Sequence, residues 1–403
     1  MGYHILRCPI CGRENKVDKR VKTCGNPTCS AEYRLRSMKE RYAPTHAAPV
    51  VVEATTPVER DRVVDELKRA NDSLLRQLSD AKASKAELVG AVERAAKEAA
   101  SALSLAPVKP PVPDERNHTP EISIAVLSDL QIGKLTPTYS SAICESRIEE
   151  FAQKIIKLTS IQRADHPVKE LRVYLLGDIV EGELIFPGQH WRIDSSLFRQ
   201  VVVNGPRILG NFLRSMLTAF EKVKVVGCIG NHGNMSSRAG KDYHPETNAD
   251  LFVYGITQQL LANEPRLEWE QTRESIERQW YAIDQIGDKR CFLFHGDQIK
   301  GGFAGFPWYG FGKKLTGWRT LADMIGAGTI DGTFDYAFSG HFHTPVRTYL
   351  NGITHWGNGT TESSNTYAAE ELASAGEPCQ WLLFAHPERG VTAEYLVRLG
   401  EEE

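Results

Sequence analysis

Long apolar runs are missing from this 403-residue chain. No stretch approaches the roughly 20 residues needed to span a bilayer. The first residues, MGYHILRCPICG, lack an apolar signal core followed by a small-residue cleavage site. These two absences argue against membrane-spanning and secreted classes and predict a soluble, cytoplasmic protein with no membrane partner. A strong net charge is missing as well. Lys and Arg number 48 and Asp and Glu 51, for a formal charge of −3, so the whole-chain balance names no partner. No internal repeat runs through the text, which sets repeat architectures aside. Cysteine is sparse beyond the first 29 residues: Cys144, Cys228, Cys291 and Cys379 are scattered, mostly in apolar contexts. In a reducing compartment they read as core thiols rather than disulfides.

What is present suffices for a sizeable core, with 41% hydrophobic residues and a length that fits one large domain plus appendages. Composition divides the chain into five segments. Residues 1–42 are basic and cysteine-bearing, with ten Lys and Arg against four acids. Residues 43–58 are a Pro/Ala/Thr-rich linker. Residues 59–104 are helical in pattern. Residues 105–120 hold five prolines and form a stiff second linker. Residues 121–403 alternate strands and helices, an α/β domain.

Cys8, Cys11, Cys24 and Cys29 are spaced C-x2-C-x12-C-x4-C. Paired cysteines of this kind grip opposite sides of a tetrahedral ion, so a zinc ribbon with one structural Zn²⁺ is expected. A redox dithiol pair or two disulfides are the alternatives. Basic residues around the cluster, with Tyr3, Tyr33 and Tyr42 interleaved, suit contact with a nucleic-acid backbone; ribbons also bind proteins, and basic residues also serve solubility. In 59–104, Val64, Asn71, Leu78, Lys85, Val92 and Ala99 fall at heptad position a, and Leu67, Leu74, Ala81, Leu88, Ala95 and Ala102 at d. Six unbroken repeats predict a coiled coil and a homo-oligomer, a dimer, with polar Asn71 and Lys85 fixing register. A solvated single helix is the alternative.

In the last segment, strands are expected over 121–129, 171–178, 222–232 and 334–343, with a hairpin over 278–297 turning at Gly287-Asp288. Helices are expected over 140–163, 197–221, 246–262 and 313–327. Polar residues stand at the strand ends in order: Asp129, Asp178, Asn231 and His232, His295, His341 and His343. Ligands of α/β sheets sit beyond the carboxyl ends of strands. Carboxylate and imidazole donors together suit Mn²⁺, Fe or Zn²⁺ better than Ca²⁺. Neighbouring Gly177, Gly230, Gly296 and Gly340 permit sharp turns and close approach. Each motif alone also has a structural reading: a lone strand-end Asp is more often a helix cap, a lone GNH can be a turn, and a His-x-His pair can be packing. Together and in this order they point to a metal site.

These blocks, SDLQIG, GDIVEG, GNHG, HGD and GHFH, resemble the ordered signature of the calcineurin-like metallophosphoesterases over roughly residues 121–360. The resemblance implies a four-layer α/β/β/α sandwich and a centre of two divalent metals, Mn²⁺ before Fe or Zn²⁺. It implies that Asp178 bridges the metals and that Asp129 and His343 hold the first. Asn231, His295 and His341 complete the second, and His232 faces the scissile phosphate as an acid. In such a centre two metals clamp an in-line displacement at phosphorus. Two residues depart from the pattern. Gln131 stands where the family has histidine, so a weaker amide donor is expected at the first metal. Gly233 stands where many relatives carry an acid that orients the histidine.

Within the family the chain is most similar to the DNA repair exonucleases and their phage-type relatives. That implies a nuclease; a phosphatase or small-substrate phosphodiesterase, and a nucleic-acid-binding adaptor with a degenerate site, are the alternatives. Two further stretches could line the substrate groove. His190, Trp191 and Arg192 lie in an insertion after GDIVEG. Trp308 and Lys313 lie in the aromatic text 301–314, which reads equally as a base-stacking surface or as a loop packed on the sheet.

Overall fold

The computed structural model describes residues 3–8, 14–18, 105–183, 185–186, 188–235, 247–270, 280–300, 306–323, 332–363 and 377–400. At the N-terminal end these form an antiparallel hairpin, β1 (Tyr3–Arg7) and β2 (Glu14–Asp18), and the buried Cys8 follows β1 directly. Cys11, Cys24 and Cys29, the linker 43–58 and the heptad segment 59–104 lie outside the described residues.

The remaining elements make two sheets. Strands β3 (Glu121–Leu127), β4 (Val168–Leu175), β5 (Lys222–Gly227) and β6 (Leu267–Glu270) run parallel in that order. The antiparallel strands β12 (Cys379–His386) and β13 (Gly390–Arg398) extend this sheet beyond β3. The second sheet has the order β10 (Val346–Leu350), β11 (Ile353–Gly357), β9 (Tyr336–Ser339), β8 (Lys289–Phe294), β7 (Tyr281–Ile286). Helices α1 (Ser141–Gln162), α2 (Gly205–Ala219) and α3 (Ala249–Leu260) cover the first sheet, and α4 (Trp308–Asp323) covers the second.

Sequence pattern explains the layers. Strand β3 and the end of β4 (173–175) are apolar runs because both faces are buried. Ile124, Val126, Tyr174 and Leu176 face Leu293, Phe338 and Trp356 between the sheets. Ala125, Leu127, Val173 and Leu175 face the helices. Helix α1 starts at Ser140, whose Oγ accepts the Ile143 N–H, and buries Cys144, Ile148, Phe151, Ile155 and Thr159 at helical spacing. The scattered cysteines Cys144, Cys228, Cys291 and Cys379 are all free and buried in these cores. The expected sequence of layers, helix, sheet, sheet, helix, is present.

Two details differ from expectation. Helix α4 begins at Trp308 rather than near 313. Phe311, Leu315 and Trp318 already form its buried stripe, and Pro307 stands just before its first residue, where a missing N–H does no harm. The Pro-rich segment is held against the α/β domain. The Val108 N–H donates to Glu264 (2.7 Å), Arg266 donates to the Val108 carbonyl (2.9 Å), and the Asp114 N–H donates to Glu221 (3.0 Å). Among the described residues, no helix is long and apolar enough to cross a membrane.

Candidate metal centre

Strands β3, β4, β5, β8 and β9 each end one to four residues before a candidate ligand, so the loops after them bring the polar residues to one sheet edge. The backbone there is strained. Asp129, Gln131, Asp178, His341 and His343 have φ of 54°, 43°, 52°, 73° and 51°. Non-glycine residues in this left-handed region cost about 1–3 kcal/mol each, so surrounding contacts must impose the geometry. Asp250, at the start of α3, is one such contact. Its carboxylate accepts N–H groups of Asp178 (3.0 Å), Ile179 (3.0 Å), Val180 (3.3 Å) and Gly230 (2.9 Å), tying the β4 and β5 loops together. Burial and the charge of Asp178 push the Asp250 carboxyl up to about 6. A Cβ on Gly230 would lie 2.1 Å from Asp178 Oδ1, which is why that position has no side chain.

One half of the centre is a set of converging acceptors. His295 Nε2 lies 3.0 Å from Asp178 Oδ2, 3.0 Å from Asn231 Oδ1 and 3.2 Å from His341 Nδ1. The Nδ1–H of His295 donates to the Leu176 carbonyl (2.8 Å), so Nε2 is the ring atom turned inward, the one an ion would bind on displacing its proton. The three spacings near 3 Å from His295 Nε2 match edges of a coordination shell with bonds of about 2.1 Å. These residues therefore fit a divalent cation. Burial opposes a charge on His295, but the Asp178 carboxylate outweighs it and lifts the imidazole to about 10. Burial and the neighbouring His295 lower His341 to about 3. Burial works against the Asp178 charge, yet His295 and His232 hold its carboxyl well below the usual range.

The other half is built differently. His343 Nε2 is 3.2 Å from Asp129 Oδ1, and His343 Nδ1 donates to Glu362 (3.1 Å). Burial opposes this imidazolium, but Glu362 and Asp129 raise it to about 10. The expected third donor, Gln131, is beside His343, but its amide oxygen faces elsewhere: Oε1 accepts from Lys134 Nζ at 2.7 Å. Its Nε2 is the atom 3.3 Å from His343 Nε2. Lys134 also forms an ion pair with the buried Glu362.

His232 lies between Asp178 and Glu181. Its backbone N–H donates to Asp178 Oδ1 (2.7 Å), and its ring Nδ1 donates to the Glu181 carbonyl (3.0 Å), with Glu181 Oε2 at 3.3 Å. Burial lowers the imidazole, but the Asp178 and Glu181 carboxylates outweigh it and set it at about 9. Residue 233 has no room for the orienting acid of the family pattern, since a Cβ there would meet Asn248 Oδ1 at 2.3 Å. Glu181, from the GDIVEG block, orients the histidine instead.

No family model matches the chain, and no curated protein does. Solved structures are similar to it at low identity. Zn²⁺-bound Vps29 from Entamoeba histolytica is 12% identical, over 65% of this chain and 84% of that one, with a TM-score of 0.30. A hypothetical protein from Pyrococcus horikoshii is 12% identical over 70% and 89%, with a TM-score of 0.35. An archaeal phosphodiesterase is 9% identical over 68% and 99%, with a TM-score of 0.30. Function is therefore argued from the centre itself.

The remaining predicted positions lie on a turn after β4 and on α4. His190 and Trp191 lie in a turn fastened to the centre's loops: Gln189 Nε2 donates to the Glu181 carbonyl (2.7 Å), and the Leu135 N–H donates to the Arg192 carbonyl (2.9 Å). Trp191 is 81% exposed. Trp308 and Lys313 are exposed on α4, whereas Phe306 and Phe311 are core residues stacked 4.5 Å apart. The aromatic stretch is thus divided between packing and exposure. Sequence reasoning missed Lys134, Glu362, Asp250 and the orienting role of Glu181. Only Glu181 carried a signal, by lying within a quoted block.

Proposed function

We propose that this chain is a metal-dependent phosphoesterase of the calcineurin-like superfamily, acting on phosphodiesters. The observation that carries this reading is the convergence of Asp178 Oδ2, Asn231 Oδ1 and His341 Nδ1 within about 3 Å of His295 Nε2. A divalent ion bound there would polarise a phosphoryl oxygen and acidify water. The protein's own groups supply the rest. Asp178 both accepts the His232 N–H and faces His295, so it fixes the acid relative to the ligands. With Nδ1 committed to Glu181, His232 exchanges its proton through Nε2 and protonates the leaving oxygen.

The finer reading is a nuclease. Exposed Trp191 lies on a turn fastened to Glu181, and exposed Trp308 and Tyr309 are the first residues of α4, whose Phe311 packs 5.6 Å from Phe342, between His341 and His343. Aromatics on the rim suit stacking on unpaired bases. Zinc at the four cysteines and dimerisation through 59–104 belong to the same proposal, since paired sites raise the effective concentration on a polymer. The test is a Mn²⁺-supplemented assay on labelled single- and double-stranded DNA, with a chromogenic diester as competitor. Cleavage should fall at least a hundredfold in Asp178→Asn and in His232→Ala. Wild-type activity in either variant would overturn the mechanism, and a diester hydrolysis that DNA does not inhibit would remove the nuclease reading alone.

A further inference from the structure

We propose that this centre holds a single divalent ion, in the Asp178 half, and that Lys134 closes the other half by turning the Gln131 amide so that N–H faces His343. The inference rests on the metallophosphoesterase reading above and departs from its two-metal expectation.

An ammonium has three donors and no acceptor. Lys134 Nζ at 2.7 Å from Gln131 Oε1 therefore accepts only one orientation of that amide. Reversed, the amide would set an NH2 against the ammonium, two donors in contact. The turn holds Lys134 there, since its backbone N–H donates to the Gln131 carbonyl at 3.0 Å. Its second partner, Glu362, is a buried carboxylate that also accepts the Nδ1–H of His343. Lys134 is itself only 14% exposed along its side chain, so the ammonium has little freedom to leave.

The consequence falls on His343. With Nδ1 donating to Glu362, Nε2 is the ring atom that would give up its proton to an ion, and the Gln131 amide nitrogen stands 3.3 Å from it. An N–H is directed at the atom that would bind the ion. Gln131 keeps the left-handed backbone of its neighbours, yet its amide delivers a donor instead of an oxygen. This half retains one carboxylate and one imidazole, beside a fixed positive charge. The Asp178 half offers four ligand atoms to an ion that displaces the proton of His295 Nε2. Among the described residues, the acidic, imidazole and thiol groups whose ligand atoms all lie within 4.8 Å of one another are Asp178, His295 and His341; Asp129 and His343 do not join them. The donor set of the first half does not fit a second ion.

The experiment counts Mn²⁺ on the full-length chain by equilibrium binding and reads its electron paramagnetic resonance. Thiolates are poor Mn²⁺ ligands, so the cysteine cluster does not enter the count. The wild type should bind one ion with an uncoupled six-line signal, and His295→Ala should lose it. Gln131→Glu keeps the Lys134 contact with one oxygen and offers the other to the centre, so it should bind two ions with an exchange-coupled spectrum. Lys134→Met should also admit a second ion, and Lys134→Arg should stay at one. Two coupled ions in the wild type would overturn the inference and leave the phosphoesterase reading intact. A single ion in a folded Gln131→Glu variant would overturn the role given to the amide. No Mn²⁺ on the wild type would overturn the phosphoesterase reading, and this inference with it.

Discussion

Under the proposed mechanism, Glu181 is the residue that positions His232. Its carbonyl and carboxylate both face the imidazole Nδ1, and Gln189 holds the carboxylate through Oε1 at 3.0 Å. Glu181→Gln keeps the size and removes the charge. Turnover should fall by about 10- to 100-fold, with KM and bound metal little changed. Unaltered kcat, or a loss of metal equal to the loss of rate, would deny it the orienting role. The same scale shows what was legible from sequence. Asp129, Asp178, Asn231, His295, His341 and His343 are strand-end residues of chemically telling types, and the fold collects them. Lys134 and Glu362 were not legible, because their importance comes from a turn and from a loop that meet only in three dimensions. A lysine three residues after Gln131 and a glutamate in GNGTTESS have no pattern that announces them.

At the scale of elements, β11 carries a buried histidine with no place in the catalysis. His355 Nε2 is 2.8 Å from Ser339 Oγ, and the ring packs 4.6 Å from Phe311 of α4. Burial lowers it to about 3. An unfolded histidine titrates near 6.5, so between these values the unfolded state binds the extra proton. Stability from this residue is complete above about pH 6.5 and declines as pH falls toward 3. A His355→Gln variant, starting less stable, should lose about 3 kcal/mol less than the wild type between pH 6.5 and 4, measured by urea unfolding. Parallel pH profiles would refute the assignment. The strands themselves were readable because burial on both faces makes them continuous apolar runs. The start of α4 was not, because glycines and aromatics in GGFAGFPWYGFGKK resemble a loop until Phe311, Leu315 and Trp318 are seen packing on one sheet face.

For the whole α/β domain, a metal held by Asp178, Asn231, His295 and His341 would couple folding to binding. An ion that recognises only the native arrangement stabilises by about 2.7 kcal/mol at a hundredfold excess over its Kd. Removing it with a chelator should lower Tm by about 5–10 °C at this domain size. In His295→Ala the chelator should shift Tm by much less, which separates this centre from any zinc at the cysteines. Equal shifts in both proteins would place the stabilising ion elsewhere. The alternation of strand and helix text reads as an α/β domain, and the order of its layers is what the family resemblance implies. The clamp at Asp250 that joins the β4 and β5 loops could not, because an aspartate in the first turn of a helix reads as an ordinary helix-start residue.

The left-handed backbone at Asp129, Gln131, Asp178, His341 and His343 also bears on ancestry. Each of these positions would be more comfortable as glycine, and several as asparagine. A chain freed from holding an ion would gain stability from such replacements and would drift toward them. Four of the five still carry acidic or imidazole side chains in the costly conformation, a pattern expected under continuing selection for function rather than of a scaffold that has outlived its chemistry.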